Sequence, residues 1–226
     1  TTMIIFDDTS NTILQYSLSS PWNISTASYT GNNFSINSQD TAPRGLFFNG
    51  TGNLMYIIGD SSNGIHEYIM AINWNISNTS YTGRSFDVST QDGEPRDIFI
   101  NASGTRLYLI GGGDIVYEYS LSIPWNISST SYTGQSFNAG SQNQQFQSIE
   151  FNSSGTTMYL SGTVPAGVYQ YSLSTPWNIS TASYTGNSFN SPQDSSPDGI
   201  FLNESENQLF INGLSNNRIF QYSLNM

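Results

Sequence analysis

The chain has 226 residues, only 9% of them charged, and sixteen acids against five basic residues leave a formal net charge of −11. A surface this acidic excludes binding to a nucleic-acid backbone, which needs a positive face, and disfavours anionic membranes. Cysteine is absent, so disulfide frameworks and thiolate metal sites are excluded too. No apolar run approaches the ~18 residues of a membrane span. The sequence opens at Thr1 without a signal-peptide pattern, as either a processed secretory product or a trimmed chain would.

Aromatic residues recur with one period. Trp22, Trp74, Trp125 and Trp177 are spaced 52, 51 and 52 apart, and Tyr29, Tyr81, Tyr132 and Tyr184 keep that spacing inside Ser-Tyr-Thr-Gly. Tyr16, Tyr68, Tyr119, Tyr171 and Tyr222 form a third series. Regular aromatics separate the chain from disordered sequences of similar polarity. Residues 1–226 therefore read as one repeat domain: a partial unit 1–40, full units 41–91, 92–143 and 144–194, and a partial unit 195–226.

The first partial unit predicts strands at 3–7, 13–18 and 28–36. In the unit 92–143, strands are predicted at 97–101, 106–110, 115–121 and 130–138, named A to D. Gly111-Gly-Gly113 falls at the B–C turn, as do Gly64 and Gly167 in other units, and Pro124-Trp125-Asn126 separates C from D. The last partial unit predicts A, B and C at 199–203, 208–212 and 218–224. Helical spacing is nowhere evident, so parallel βαβ folds drop out.

The fold class is all-β, a β-propeller-like repeat protein of four-stranded antiparallel meanders with four to five blades and incomplete terminal blades. The tryptophans would plug the seams between blades. Five B and five C strands face only four A and four D strands, so the ends overlap instead of sharing one blade. Either five blades close with two truncated, or another molecule completes the half-blades, giving head-to-tail assembly through unpaired edges.

The string Tyr-Ser-Leu-Ser-x-Pro-Trp-Asn-Ile-Ser-x-x-Ser-Tyr-Thr-Gly resembles a repeat of marine phage and bacterial propeller-type proteins. Gly-Ile-Phe-Leu-Asn followed by a turn and Leu-Phe-Ile is similar to blades of YVTN and lactonase-like propellers. This resemblance covers essentially the whole chain and implies fold more than function. Where that family tends to carry Asp, after the Trp and in the A–B turn, this chain has Asn.

Ten N-glycosylation sequons are present: Asn23, Asn75, Asn126 and Asn178 after each Trp, Asn49, Asn101, Asn152 and Asn203 at the A–B turns, and Asn33 and Asn78. Both turn sets are expected to let a glycan project. The D–A connections carry Gln39-Asp40, Gln91-Asp92, Gln142-Asn143 and Gln193-Asp194, either converging as a ligand face or capping their loops. Arg44 and Arg96 lie close by, and the third full unit has Gln144, Gln145 and Gln147 instead.

His66 is the only histidine and reads as structural. The paired acids Asp7-Asp8 and Glu204/Glu206 sit in turns and do not make a glycosidase pair. No catalytic residue, cofactor or metal ligand is identified. The expected function is a non-catalytic structural or adhesive module at the extracellular, cell or virion surface, assembling with itself head to tail. The alternative is a receptor- or glycan-binding module of a phage tail fibre or surface protein. A lactonase-type enzyme would need a metal ring and is the poorest of the three.

Overall fold

The structure, a computed structural model, describes residues 1–7 and 9–224; Asp8, Asn225 and Met226 lie outside the described residues. Five separate antiparallel sheets follow one another along the chain. Blade 1 holds β1 (Thr2–Asp7), β2 (Thr12–Leu18) and β3 (Ala27–Ser35). Blade 2 runs β4 (Pro43–Phe48), β5 (Leu54–Gly59), β6 (Gly64–Ile72) and β7 (Asn75–Asp87). In blade 3 come β8 (Pro95–Ile100), β9 (Arg106–Gly111), β10 (Ile115–Leu121) and β11 (Thr130–Asn138). Blade 4 comprises β12 (Phe146–Phe151), β13 (Thr157–Thr163), β14 (Ala166–Leu173) and β15 (Ala182–Phe189). Blade 5 ends the series with β16 (Pro197–Leu202), β17 (Gln208–Gly213) and β18 (Arg218–Ser223).

The Ser-Tyr-Thr-Gly motif shapes strand D. Its glycines, Gly31, Gly83, Gly134 and Gly186, take φ of +84° to +87°, which glycine adopts without steric cost. Strand D bulges there against strand C. The Thr hydroxyl then donates to a strand C carbonyl at 2.8–3.0 Å: Thr30 to Gln15, Thr82 to Glu67, Thr133 to Glu118 and Thr185 to Gln170.

The Tyr of the motif packs on the strand C Tyr of its own blade, as in Tyr81–Tyr68 at 5.5 Å between ring centroids and Tyr132–Tyr119 at 5.6 Å. From the other side comes a strand D Phe of the preceding blade: Phe34 on Tyr68, Phe86 on Tyr119, Phe137 on Tyr171 and Phe189 on Tyr222. One aromatic sandwich thus belongs to two blades, which accounts for the strict spacing of the tyrosines. Each fully buried ring contributes about 1.5–3 kcal/mol.

Each Trp also serves two blades. Its backbone is left-handed, and in blades 2 to 4 its indole lies against the A–B turn glycine of its own blade. Its carbonyl is held by the blade before: the Tyr56 hydroxyl donates to Trp125 and the Tyr108 hydroxyl to Trp177, both at 2.6 Å. Beside these, a strand C side chain accepts the Ile N–H two residues after the Trp. Gln15 takes Ile76, Glu67 takes Ile127, Glu118 takes Ile179 and Gln221 takes Ile24.

That last contact closes the ring. Gln221 of blade 5 accepts from Ile24 N at 3.3 Å and donates to the Trp22 carbonyl at 2.7 Å, as Gln15 does for Ile76 and Trp74. Trp22 stacks on Phe201 and meets Phe210, both in blade 5. The chain is a five-bladed β-propeller with three-stranded first and last blades. Of the two arrangements compatible with the strand count, closure with two truncated blades is the one formed.

Candidate functional site

Strands A, B and C place the D–A connections over the ends of the B strands. There the acidic or amide side chain turns into its own blade. Asp40 accepts from Ala42 N at 2.7 Å, Ser61 Oγ at 2.6 Å and Ser62 N at 3.0 Å. Asp92 takes Glu94 N, Asn143 takes Gln145 N, and Asp194 takes Ser196 N and Asn216 N. Each covers a strand B glycine so closely that a Cβ on Gly59, Gly111, Gly162 or Gly213 would fall 2.3–2.6 Å from it. Gln39, Gln91, Gln142 and Gln193 accept from the strand C tyrosine hydroxyls. The eight residues are brought to one end of the ring but act as loop caps. Burial works against the Asp40 carboxylate, yet the Ser61 and Ser62 hydroxyls hold its pKa below the ordinary value. His66 is buried against Ser62 Oγ at 2.9 Å, and burial lowers its pKa.

The two sequon sets differ. Asn23, Asn126 and Asn178 cap short 3-10 turns through Oδ1, which accepts from the N–H two residues on, and Asn75 makes the same contact with Ser77. Asn23, Asn33 and Asn78 are exposed, and Asn75, Asn126 and Asn178 half-buried. At the A–B turns the asparagine side chains turn inward. Asn49, Asn101 and Asn203 are buried and Asn152 half-buried, with Oδ1 bridging two backbone N–H groups, as at Asn53 and Leu54. The Nδ2 of Asn49, Asn152 and Asn203 donates inside the turn. A glycan there would break the turn that joins strands A and B.

Two places remain as candidates. The first is the axial face, where the second residues of the A strands, Arg44, Arg96, Gln147 and Asp198, border a cavity of about 470 Å³. Arg44 pairs with Asp60 at 2.7 Å, and Arg96 donates to the Phe146 carbonyl at 2.8 Å. One residue further along β8, Asp97 accepts from Ser148 Oγ at 2.5 Å and from Ile149 N, tying blade 3 to blade 4. Burial pushes the Asp97 carboxyl up to about 7. Glu150 stands where blades 2, 3 and 5 have Phe47, Phe99 and Phe201, and burial raises its carboxyl well above the ordinary value.

The second is the seam between blades 5 and 1, a cleft of about 300 Å³ lined by Met3, Ile5, Phe6, Ile24, Asn212 and Arg218 among others. The A strands β4, β8, β12 and β16 touch in series, and blade 1 puts β1 at its inner edge. Phe201 is consequently 48% exposed, while its counterpart Phe99 is covered by Phe47, Phe151 and Trp177. Each blade is a separate sheet with two edge strands, and in blades 1 and 5 a strand other than A or D takes one of those places: β1 at the inner edge and β18 at the outer. Leu18 N donates to Thr1 O and Leu224 N to Asn207 O. By antiparallel alternation the backbone groups of Thr2, Ile4 and Phe6 face one edge, and those of Ile219, Gln221 and Ser223 the other.

No protein-family model and no curated protein matches the chain. Solved structures do. A candidate 6-phosphogluconolactonase from Bacteroides uniformis is 14% identical with a TM-score of 0.58, over 98% of this chain and 66% of that one. A protein from Lactobacillus plantarum is 10% identical, TM-score 0.59, over 100% and 64%. A chain of the nidogen/laminin complex is 12% identical, TM-score 0.60, over 99% and 74%. The likeness is one of fold. It bears out the resemblance to lactonase-type propellers at the level of architecture, and the chain spans just under two thirds of the length of the first of these structures.

Charge pairing is what the sequence reading missed. The interblade position on strand C is Gln in blades 1, 4 and 5 but Glu67 and Glu118 in blades 2 and 3. Each buried Glu has its own arginine: Arg84 at 2.8 Å from Glu67, and Arg106 on Glu118. The signal lay in the repeat alignment, where two of the five arginines appear only in units that carry the Glu.

Proposed function

We propose that the chain is a non-catalytic structural and adhesive module outside the cell, at a cell or virion surface, associating through the open edge at its blade 5 seam. The observation that carries this reading is a ring closed between residues 22 and 221 in which a B strand, β1, and a C strand, β18, stand at sheet edges where the other blades place strands A and D. Unpaired edges template further strands unless they are blocked by charge, proline or cover. On β18 the residues whose backbone faces outward are Ile219, Gln221 and Ser223, none of them charged. The resemblance of the repeat to marine phage and bacterial proteins supports a surface role. The non-catalytic reading rests on the engagement of Asp40, Asp92 and Asp194 as loop caps.

Head-to-tail association fits an edge-to-edge contact better than an exchange of missing strands. The described strands each pair within their own blade, and every copy presents the same edges, those of β1 and β18 among them. The test is light scattering on a dilution series with electron microscopy, comparing the chain with Ile219→Pro. The Ile219 N–H points away from β17, so proline there removes an edge donor without breaking the ladder. Oligomers or filaments that proline abolishes are expected; a monomer at every concentration contradicts the proposal.

A second reading, a glycan- or receptor-binding module, is favoured by the axial cavity, whose guanidinium, carboxyl and amide groups suit a polar sugar. A glycan array probed with the chain and with Arg44→Ala/Arg96→Ala tests it. Binding lost in the double variant supports this reading, and an array without signal removes it.

A further inference from the structure

The axial cavity is uneven in its chemistry. Gly45 of β4 lies so close to β8 that a Cβ on it would fall 2.7 Å from Asp97 Oδ1 and 2.8 Å from the Arg96 carbonyl oxygen. Asp97 accepts from Ser148 Oγ of β12 at 2.5 Å, and that oxygen accepts from Ile200 N of β16 at 3.3 Å. These contacts hold the A strands together in series. The residues just before Gly45, Asp97, Ser148 and Gly199 are Arg44, Arg96, Gln147 and Asp198, and all four line the cavity of about 470 Å³. Two cations thus stand on the adjacent blades 2 and 3, an amide follows on blade 4, and a carboxylate on blade 5.

Both guanidiniums are fixed at one edge and open at another. Arg44 gives Nε to Asp60 at 2.7 Å, and its two Nη groups have no partner among the described residues. Arg96 gives Nη1 to the Phe146 carbonyl at 2.8 Å, while its Nη2 stands 3.9 Å from Glu94, too far for a hydrogen bond. The Glu94 side chain is 73% exposed and turns largely to solvent. On blade 4, Gln145 accepts the Thr163 hydroxyl on Oε1 at 2.9 Å, which leaves its Nε2 to donate elsewhere. The half-buried Gln147 side chain has no hydrogen bond among the described residues. All four donors stand on blades 2 to 4, each of which holds its four strands.

An occupant of this cavity has to bring acceptors. Charge-assisted N–H groups favour an anion, and the planar guanidinium fork matches the paired oxygens of a carboxylate or a sulfate ester. Carboxamides, with donor and acceptor on one group, match hydroxyls. Asp198, two blades on from Arg96, repels an anion and so orients the occupant with its charge toward blades 2 and 3. At a distance the formal net charge of −11 repels every anion, so a preference for acidic ligands is the signature of contact at these guanidiniums.

We infer that the axial cavity takes an acidic sugar, its carboxylate or sulfate ester on Arg44 and Arg96 and its hydroxyls on Gln145 and Gln147. The inference rests on the glycan-binding reading above and names the class of glycan.

The experiment is ligand-observed NMR on the full chain with methyl glycosides of D-glucuronate, D-galacturonate and D-mannuronate, of the matching neutral hexoses, and of the hexose 6-sulfates. At least one acidic sugar should bind about tenfold or more tightly than its neutral counterpart, and the uronate and sulfate arms identify the anion. Arg44→Gln should narrow that gap and Gln147→Glu should close it. Arg44 takes part in a single exposed ion pair, so its variant should keep the wild-type melting temperature, which is measured alongside. Neutral hexoses that bind as tightly as their acidic counterparts overturn the inference and leave the glycan-binding reading standing. An acidic preference unchanged in both variants also overturns it, since the anion then sits elsewhere. Absence of binding by every probe overturns the inference, and the glycan array decides separately whether the wider reading falls with it.

Discussion

Asp97 and Glu150 are acids held between blades where most repeats place glycine, serine or phenylalanine, and their raised pKa values contribute to the pH response of the fold. Burial is the main cause in both; at Asp97 the hydrogen bonds from Ser148, Ile149 and Ile98 oppose it, while at Glu150 the nearby Asp97 adds to it. Both folded pKa values lie above those of the unfolded chain. Their contribution is therefore full at a pH below the unfolded values near 4 and is lost as pH rises through the folded ones, which for Asp97 is about 7. The melting temperature should be higher at pH 5 than at pH 8, by about 2–4 °C per kcal/mol of linked protonation. His66, with its pKa lowered, acts in the opposite sense and only below its ordinary 6.5. Glu150→Gln removes one titrating group and should flatten the profile; a wild-type slope in that variant would assign the effect elsewhere.

Glycine is required under the indoles of blades 2 to 4, and Gly104 is one case. Its φ is +70° and a Cβ would meet the Trp125 ring at 2.5 Å. Gly104→Ala should cost about 1–3 kcal/mol through strain and a displaced indole, read by denaturant unfolding together with the Trp emission maximum. An unchanged midpoint would contradict the packing described.

At the scale of elements, strand D is the unit's organiser, since its bulge, hydroxyl and ring each meet a different neighbour. Thr133→Val keeps the shape of the side chain but strips the bond to the Glu118 carbonyl, 2.8 Å long. A loss of about 1–2 kcal/mol is expected in the unfolding midpoint. A neutral result would mean that the carbonyl finds another donor.

Strands and turns were legible because the repeat shows each of them several times over. The aromatic series marked the seams, and the Trp positions proved to be interblade contacts. The predicted first strand D at 28–36 is observed at Ala27–Ser35, within the blur of any strand end. Side-chain direction was not legible. Asn49 and Asn23 share one sequon pattern, yet one points into its turn and the other to solvent, because only the A–B turn needs an acceptor for two adjacent N–H groups. Asp40 and its counterparts likewise read as a possible ligand face until their amide partners on the B–C turn were located.

At the scale of the whole molecule, counting strands left two closures open, and Gln221 with Trp22 decided between them. Neither residue stands out in sequence, since each repeats a position used elsewhere in the ring. What distinguishes the pair is that it joins residues 22 and 221, almost the full length of the chain apart. The same closure concentrates the incompleteness at one seam, where Phe201 is bared and β18 ends the sheet.

The measurement that tests the five-blade ring most directly is a spin-label distance across that seam, made clean by the absence of native cysteine. Labels at Ser25→Cys and Ser223→Cys span blades 1 and 5; labels at Ser128→Cys and Ile69→Cys span blades 3 and 2 at the same repeat positions. All four sites except Ile69 carry a serine, and all four are exposed. A closed ring predicts that the two pairs give the same single, short distance. A long or broad distribution for the first pair beside a short one for the second would mean an open arc of blades, and would contradict the closure on which the account stands.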